Sequence, residues 1–315
     1  QYYTIYVTDF EGNQDYAEVY MLAFDNGACS GTLRLSGSIQ EANGVPLTNA
    51  SILLTKPDDQ NMQMMSMSNG NGLFNWENIG IYKNMEITPS YELKDQDRLD
   101  IADLKMLQDY IMGITQPVNF QFIAADMDED NRIRIKDLEI LKQLIITGQA
   151  INPTPWRFSC ELDTIEKLAD LQKIKKSIIL DQSNGTLTIK SVYKGDISDA
   201  NIRKTGSRSS TYLYGQLNEN EVTYYTQNSF SAEGLQMALD IQADISSYEI
   251  SSPYFTINPT TTFLDDKGKL RFIITSAFQV EADKPLFTLK AQHGTFEKIP
   301  SINDESKILL QDYQT

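Results

Sequence analysis

Histidine is nearly absent from this chain: His293 is the only one among 315 residues, and the cysteines number two, Cys29 and Cys160. That shortage excludes whole classes of chemistry. A zinc site takes about four ligands, drawn largely from nitrogen and sulfur, and these three side chains do not build a usual one. A Ser–His triad would have to use His293, which sits in Lys290-Ala-Gln-His-Gly-Thr-Phe296 without a nucleophile motif and reads as a turn residue. Spacing alone leaves the pairing of Cys29 with Cys160 open. Basic residues are also short: 27 Lys and Arg face 43 Asp and Glu, a net charge of −16. No basic stripe exists to neutralise phosphates, so nucleic acid is not expected as a partner. No apolar run approaches the roughly 18 residues of a membrane span. Nucleophile elbow, P-loop, dinucleotide glycine pattern and metalloprotease helix are all missing, so neither catalytic residues nor an organic cofactor site is expected. No signal peptide is read either. Gln1 opens inside a strand-like pattern, as expected of a processed chain or a fragment.

Carboxylates are what the chain has in plenty, and one stretch orders them. Asp126-Met-Asp128-Glu-Asp130-Asn131-Arg132-Ile133-Arg134-Ile135-Lys136-Asp137 places acids at positions 1, 3, 5 and 12 of a loop, with a helical pattern starting at Leu138. Ca2+ is a hard ion that takes six to eight oxygens, and this is the ligand spacing of a calcium loop closed by a helix. Asp126, Asp128, Asp130 and Asp137 are the side-chain ligands expected, and Arg132 at position 7 would give its backbone carbonyl. Position 6 needs a sharp turn, and Asn131 tolerates positive φ best after glycine.

A shift of 34 residues aligns Asp103 with Asp137, Leu104 with Leu138, Leu107 with Leu141 and Ile111 with Ile145. Two loop–helix units therefore stand in tandem. The first loop runs from Glu92 to Asp103, with Lys94 at position 3. Lysine only donates and cannot ligate calcium. Glu92, Asp97 and Asp103 are accordingly the lesser metal candidates, with Lys94 as a possible internal cation. The apolar stripes Leu104, Leu107, Ile111, Ile114 and Leu138, Leu141, Ile145 have the spacing of packed helix faces. On these residues, segment 91–150 resembles a type I dockerin, a family whose paired calcium loops and helices dock onto a cohesin. The Ser-Thr docking pair of that family is replaced by Ile101-Ala102 and Ile135-Lys136. The resemblance with that departure implies a structural or intramolecular role.

The remaining segments read as strands. Residues 1–30 alternate on both sides of Glu11-Gly12-Asn13, and resemble the terminal strands of an immunoglobulin-like domain or a donor strand pair. Residues 31–90 carry short strands separated by Asn43-Gly44 and Asn69-Gly70-Asn71-Gly72. They resemble the carboxypeptidase regulatory-like sandwich. Residues 151–205 read as a connector with short strands, including Trp156-Arg-Phe-Ser159, and with a helical composition over 164–177. Residues 206–315 are all-β, with a hairpin turn at Asp265–Lys269, and resemble a cohesin-like sandwich.

The expected fold is thus mainly β: tandem β-sandwiches joined by a small α-helical calcium module. The module order resembles the C-terminal part of secreted Bacteroidota surface proteins of the adhesin or filament type. That resemblance implies an extracellular, cell-surface, calcium-stabilised structural protein, an adhesin stalk or filament subunit. Its implied partners are copies of itself or neighbouring surface-protein domains, with a carbohydrate or cell-surface ligand as a further possibility. The alternative is a dockerin/cohesin-type binding module that recruits a secreted enzyme or scaffold.

Overall fold

The computed structural model describes residues 2–8, 12–20, 33–56, 59–79, 85–92, 98–148, 155–160, 165–174, 177–180, 186–198, 212–241 and 247–310. The fold is mainly β, as its composition indicates. Strands β1 (Tyr2–Thr8) and β2 (Gln14–Tyr20) form an antiparallel hairpin, in register from Tyr2 opposite Tyr20, and pair with no other described strand.

The first sandwich begins with β3 (Leu33–Glu41), β4 (Ser51–Lys56), β5 (Asp59–Met67), β6 (Leu73–Ile79) and β7 (Met85–Ser90). Strand β4 alternates strictly: Ile52 and Leu54 point inward and their neighbours do not. That period of two makes one face of its sheet core. Ile39, Ile52, Leu54, Phe74, Trp76 and Ile87 are all buried there. Each contributes about 1.5–3 kcal/mol relative to an exposed side chain.

Three helices follow: α1 (Ile101–Met112), α2 (Phe120–Ala125) and α3 (Ile135–Thr147). Asp100 caps α1 by accepting from the Ala102 N–H at 2.8 Å, while Asp103 reaches back to the Asp100 N–H at 2.9 Å. The two bonds satisfy donors that a helix start otherwise leaves unpaired. Gly113 (φ 72°) and Gly148 (φ 65°) close α1 and α3 in the left-handed conformation. Leu104, Leu107 and Leu141 are buried as their spacing predicts. Ile114 is not: it lies past the glycine cap and is exposed, because the helix ends before it. Short α2 has no counterpart in the sequence reading.

The segment read as a connector completes the first sandwich. It supplies β8 (Trp156–Ser159), β9 (Ile178–Leu180) and β10 (Thr186–Tyr193). The two sheets run β6-β3-β10-β8 and β5-β4-β7-β9. Strand β10 lies parallel to β3, with Ile189 opposite Ile39, so the chain returns to the first sheet only after the helices have been made. Between β8 and β9 the described residues hold a 3-10 turn, Leu168–Lys173, where composition suggests a longer helix.

The second sandwich comprises β11 (Leu213–Asn218), β12 (Glu221–Thr226), β13 (Phe230–Asp240), β14 (Ser247–Ser251), β15 (Thr262–Leu264), β16 (Lys269–Ile274), β17 (Phe278–Val280), β18 (Pro285–His293), β19 (Ser301–Ile302) and β20 (Lys307–Leu310). One sheet runs β11-β12-β18-β14; the other runs β15-β16-β13-β17, with β19 and β20 also paired to β13. The hairpin turn between β15 and β16 is held by Asp265, whose Oδ1 accepts from the Lys267 and Lys269 N–H groups. A separate buried cluster fills this sandwich, centred on Tyr224, Phe272 and Phe287.

The helices form a layer against both sandwiches. Their buried side chains belong to the same cluster as the first sandwich core, which also takes in Ile273 from β16. Helix α1 packs on β13 and β20, and α3 on β15 and β16. Close approach of α1 depends on Gly234. A Cβ there would lie 2.7 Å from Ile101 Cγ1 and 3.1 Å from the Ile274 carbonyl. Gly234→Val is therefore expected to cost about 1–3 kcal/mol through overpacking, read as a lower denaturation midpoint in urea. Among the described residues no helix is long and apolar enough to cross a membrane.

Candidate metal centre

The loop between α2 and α3 bends back on itself. Glu129 and Asn131 both take φ 62°, so the asparagine at position 6 does adopt the conformation its residue type allows. The bends bring Asp126, Asp128 and Asp130 together, with a carboxylate oxygen from each within 4.8 Å of the others. Asp126, at the end of α2, is buried and accepts from the Asn131 N–H at 3.0 Å and the Asp130 N–H at 3.1 Å. Asp137 is buried too. Its Oδ1 accepts from the Met127 N–H at 2.8 Å and the Asp128 N–H at 3.3 Å, and its Oδ2 from the Arg134 N–H at 2.8 Å. The last acid thus ties the loop's beginning to the first turn of α3. Arg132 lies in the same loop with its side chain exposed.

Burial, with the neighbouring charges of Asp137 and Asp128, pushes the Asp126 carboxyl up to about 6 against the hydrogen bond from Asn131. Burial raises the Asp137 carboxyl as well. Lys136 Nζ approaches Asp128 Oδ2 at 2.7 Å, and Arg134 pairs with Asp130. Both basic side chains are about half exposed or more, so moving them aside for a cation costs little. Asp130 Oδ1 is buried and accepts no hydrogen bond. Converging acids, an orphaned buried oxygen and a carboxyl raised by burial and then by its like-charged neighbours together fit a hard divalent cation. Such an ion would supply electrostatic neutralisation here, and Asp126, Asp128 and Asp130 would hold it.

The first loop is different. Glu92 is exposed, and Asp97 and Lys94 lie outside the described residues. Asp103 is completely buried, and its oxygens are occupied by backbone N–H groups: Asp100 at 2.9 Å, Ile197 at 2.9 Å and Ser198 at 2.8 Å. Burial, then Asp100 and Asp196, push its carboxyl up to about 8. Cys160 is exposed at the end of β8, while Cys29 lies outside the described residues.

Two charged anchors were not foreseen. Glu129, at loop position 4, binds Lys194 Nζ at 3.0 Å and also pairs with Arg157. Lys194 follows β10 and Arg157 lies in β8, so the acidic loop is bolted to the first sandwich. Lys194 is nearly inaccessible to solvent. Arg98, just before α1, donates from its terminal nitrogens to Glu41 and from Nε to Asp196 Oδ2 at 3.0 Å. Its guanidinium lies 5.3 Å from the Trp156 ring centre and 5.7 Å from that of Tyr193. No spacing rule points to Glu129. Arg98 carries a signal in hindsight: it stands 34 residues before Arg132, at the same repeat position.

No protein-family model and no curated protein matches this chain. Two solved pilin structures show a distant likeness to it. The solved full-length major pilin SpaD from Corynebacterium diphtheriae is similar over 83% of this chain and 57% of its own, at 8% identity and a TM-score of 0.29. BcpA, the major pilin subunit of Bacillus cereus, is similar over 84% of this chain and 60% of its own, also at 8% identity and 0.29. The chain therefore spans less than two thirds of the length of either pilin. Likeness of this size leaves function to be argued from the chain's own residues.

Proposed function

We propose that the chain is an extracellular, calcium-stabilised structural protein, a subunit of a surface filament or an adhesin stalk, with no catalytic role. The observation that carries this reading is the attachment of one helical layer to both sandwiches, beside a loop of converging carboxylates. Glu129 ties that loop to Lys194 and Arg157 of the first sandwich. Lys307 in β20 of the second sandwich reaches Asp100 at the start of α1 at 2.9 Å. Calcium in the loop would fix α3 relative to its loop and so stiffen the junction. Loops of this kind in extracellular modules work at calcium levels of about 0.1–1 mM.

The alternative, recruitment of a separate enzyme or scaffold by a dockerin/cohesin-type module, is less well supported. The faces of α1 and α3 already lie against β13, β20, β15 and β16 of the same chain. A partner in trans would have to displace them.

Assembly into filaments needs an end-to-end contact, and the β1–β2 hairpin is the element suited to it. Its strands pair only with each other among the described residues, and strand addition to a neighbouring sheet uses such edges. Electron microscopy of the purified chain in calcium is expected to show linear assemblies, and a chain lacking residues 1–30 is expected to stay monomeric. Assemblies that persist after the deletion would rule out the hairpin. Monomers alone from the intact chain would reject the filament in favour of the stalk.

A further inference from the structure

The two loop–helix units bond their closing aspartates in the same pattern, except for where the loop comes from. In the second unit, Asp137 Oδ1 accepts from Met127 and Asp128, and Oδ2 from Arg134 at the helix start. In the first unit, Asp103 Oδ2 accepts from Asp100, the matching helix-start residue. Its Oδ1, however, accepts from Ile197 and Ser198, which follow β10 and lie more than 90 residues further along the chain. Asp196-Ile197-Ser198 thus stands to α1 as Asp126-Met127-Asp128 stands to α3. The match extends to the side chains: Ile197 and Met127 are both buried, and Asp196 and Asp126 are both buried acids. The turn before Asp196 is fastened to the other unit, because the Gly195 N–H donates to the Ala124 carbonyl at 2.8 Å. Gly195 has φ 92°, and a Cβ there would lie 2.8 Å from Leu141 and 3.1 Å from Leu99. Glycine lets this turn pack between α3 and the residues just before α1.

The cation differs as well. Arg132 at position 7 of the second loop keeps its side chain in solvent, whereas Arg98 at the same position of the first turns inward. Its Nε meets Asp196, the acid that corresponds to Asp126.

We infer that the first loop–helix unit is split. Helix α1 takes its Asp103 Oδ1 donors from residues 197–198, far along the chain, and the Arg98 guanidinium serves this unit as a built-in cation. The unit is therefore a clasp that needs no metal. It closes only when β10 has been laid into the first sandwich, and it locks the helical layer to that completed sandwich. The second unit remains the metal-responsive one, and only that contrast rests on the calcium reading above.

Amide hydrogen exchange on the intact chain, in calcium and in excess EGTA, tests the clasp. The Ile197 and Ser198 amides are expected to stay equally protected in both conditions, while the Met127 and Asp128 amides lose protection in EGTA. Asp103→Asn is expected to speed exchange at Ile197 and Ser198 by about tenfold or more, the change that follows from weakening the hydrogen bonds that Asp103 Oδ1 accepts from them. Calcium titration should give a stoichiometry of one in both wild type and Asp103→Asn. Loss of protection at Ile197 and Ser198 on chelation would overturn the clasp, as would a stoichiometry of two that falls to one in Asp103→Asn. Unchanged Met127 and Asp128 with steady Ile197 and Ser198 would reject the calcium reading and leave the clasp standing. The wild-type comparison needs no variant, so a folding failure of Asp103→Asn does not remove the test.

Discussion

Excess EGTA is expected to lower the melting temperature of the calcium-saturated protein by about 5–10 °C. A ligand at about a hundred times its Kd stabilises the folded state by about 2.7 kcal/mol, and for a chain unfolding in units of 150–250 residues each kcal/mol shifts Tm by about 2–4 °C. The physical source is repulsion. Asp126, Asp128 and Asp130 hold their oxygens within 4.8 Å of one another, and Asp130 Oδ1 has no hydrogen bond to offset its burial. Asp128→Ala with Asp130→Ala should abolish the response to EGTA. A wild-type Tm that does not move on chelation would leave the calcium reading without support.

The pH dependence of that response has a definite sign. Burial, followed by the nearby acids, lifts Asp126 to about 6 in the metal-free fold, above its unfolded value. Ionising it therefore works against the metal-free fold, and the associated stability is present at low pH and lost as pH rises through about 6. A bound cation favours the ionised form instead. The gap between calcium and EGTA melting temperatures should thus be large at pH 7.5 and shrink markedly by pH 5. Glu129, held low by Lys194 and Arg157 against its burial, contributes stability that is lost as pH falls. It acts in both conditions, so the comparison at one pH isolates the loop.

Arg98→Met is expected to destabilise the chain by about 3–5 kcal/mol, the cost of removing one partner from a buried ion pair. Burial disfavours the Arg98 cation, yet Glu41 and Asp196 more than offset it and raise its pKa. With the guanidinium gone, Glu41 and Asp196, 12% and 5% exposed, are left as buried charges with their chief cation removed. The rings of Trp156 and Tyr193 also lose the cation they flank. Arg98→Lys should recover only part of the loss, because one ammonium cannot bridge Glu41 and Asp196 in the fork geometry of arginine. Adding Glu41→Gln and Asp196→Asn to Arg98→Met should restore stability. A single Arg98→Met variant that melts within about 1 kcal/mol of wild type would show that the clamp contributes little.

Local signals in this chain are strong where chemistry acts between near neighbours. The strand periods of β4 and β7, the glycine caps of α1 and α3, and the Asp265 turn all follow from residues a few positions apart. The acidic loop was legible for the same reason, since a tight loop has little choice about which side chains meet. Glu129 was not legible. Its partners Lys194 and Arg157 are 65 and 28 residues away, and only folding brings them together.

By itself the sequence determined a mainly β chain with two loop–helix units and one acid-spaced turn, because periodicity and turn chemistry are local properties. Tertiary structure alone decided that β8, β9 and β10 belong to the first sandwich, with β10 parallel to β3, and that Asp103 answers to Ile197 and Ser198. Parallel pairing needs a long crossover, and a buried carboxylate needs donors wherever the fold delivers them. Neither requirement leaves a mark on nearby residues, so the chain had to be folded before they became visible.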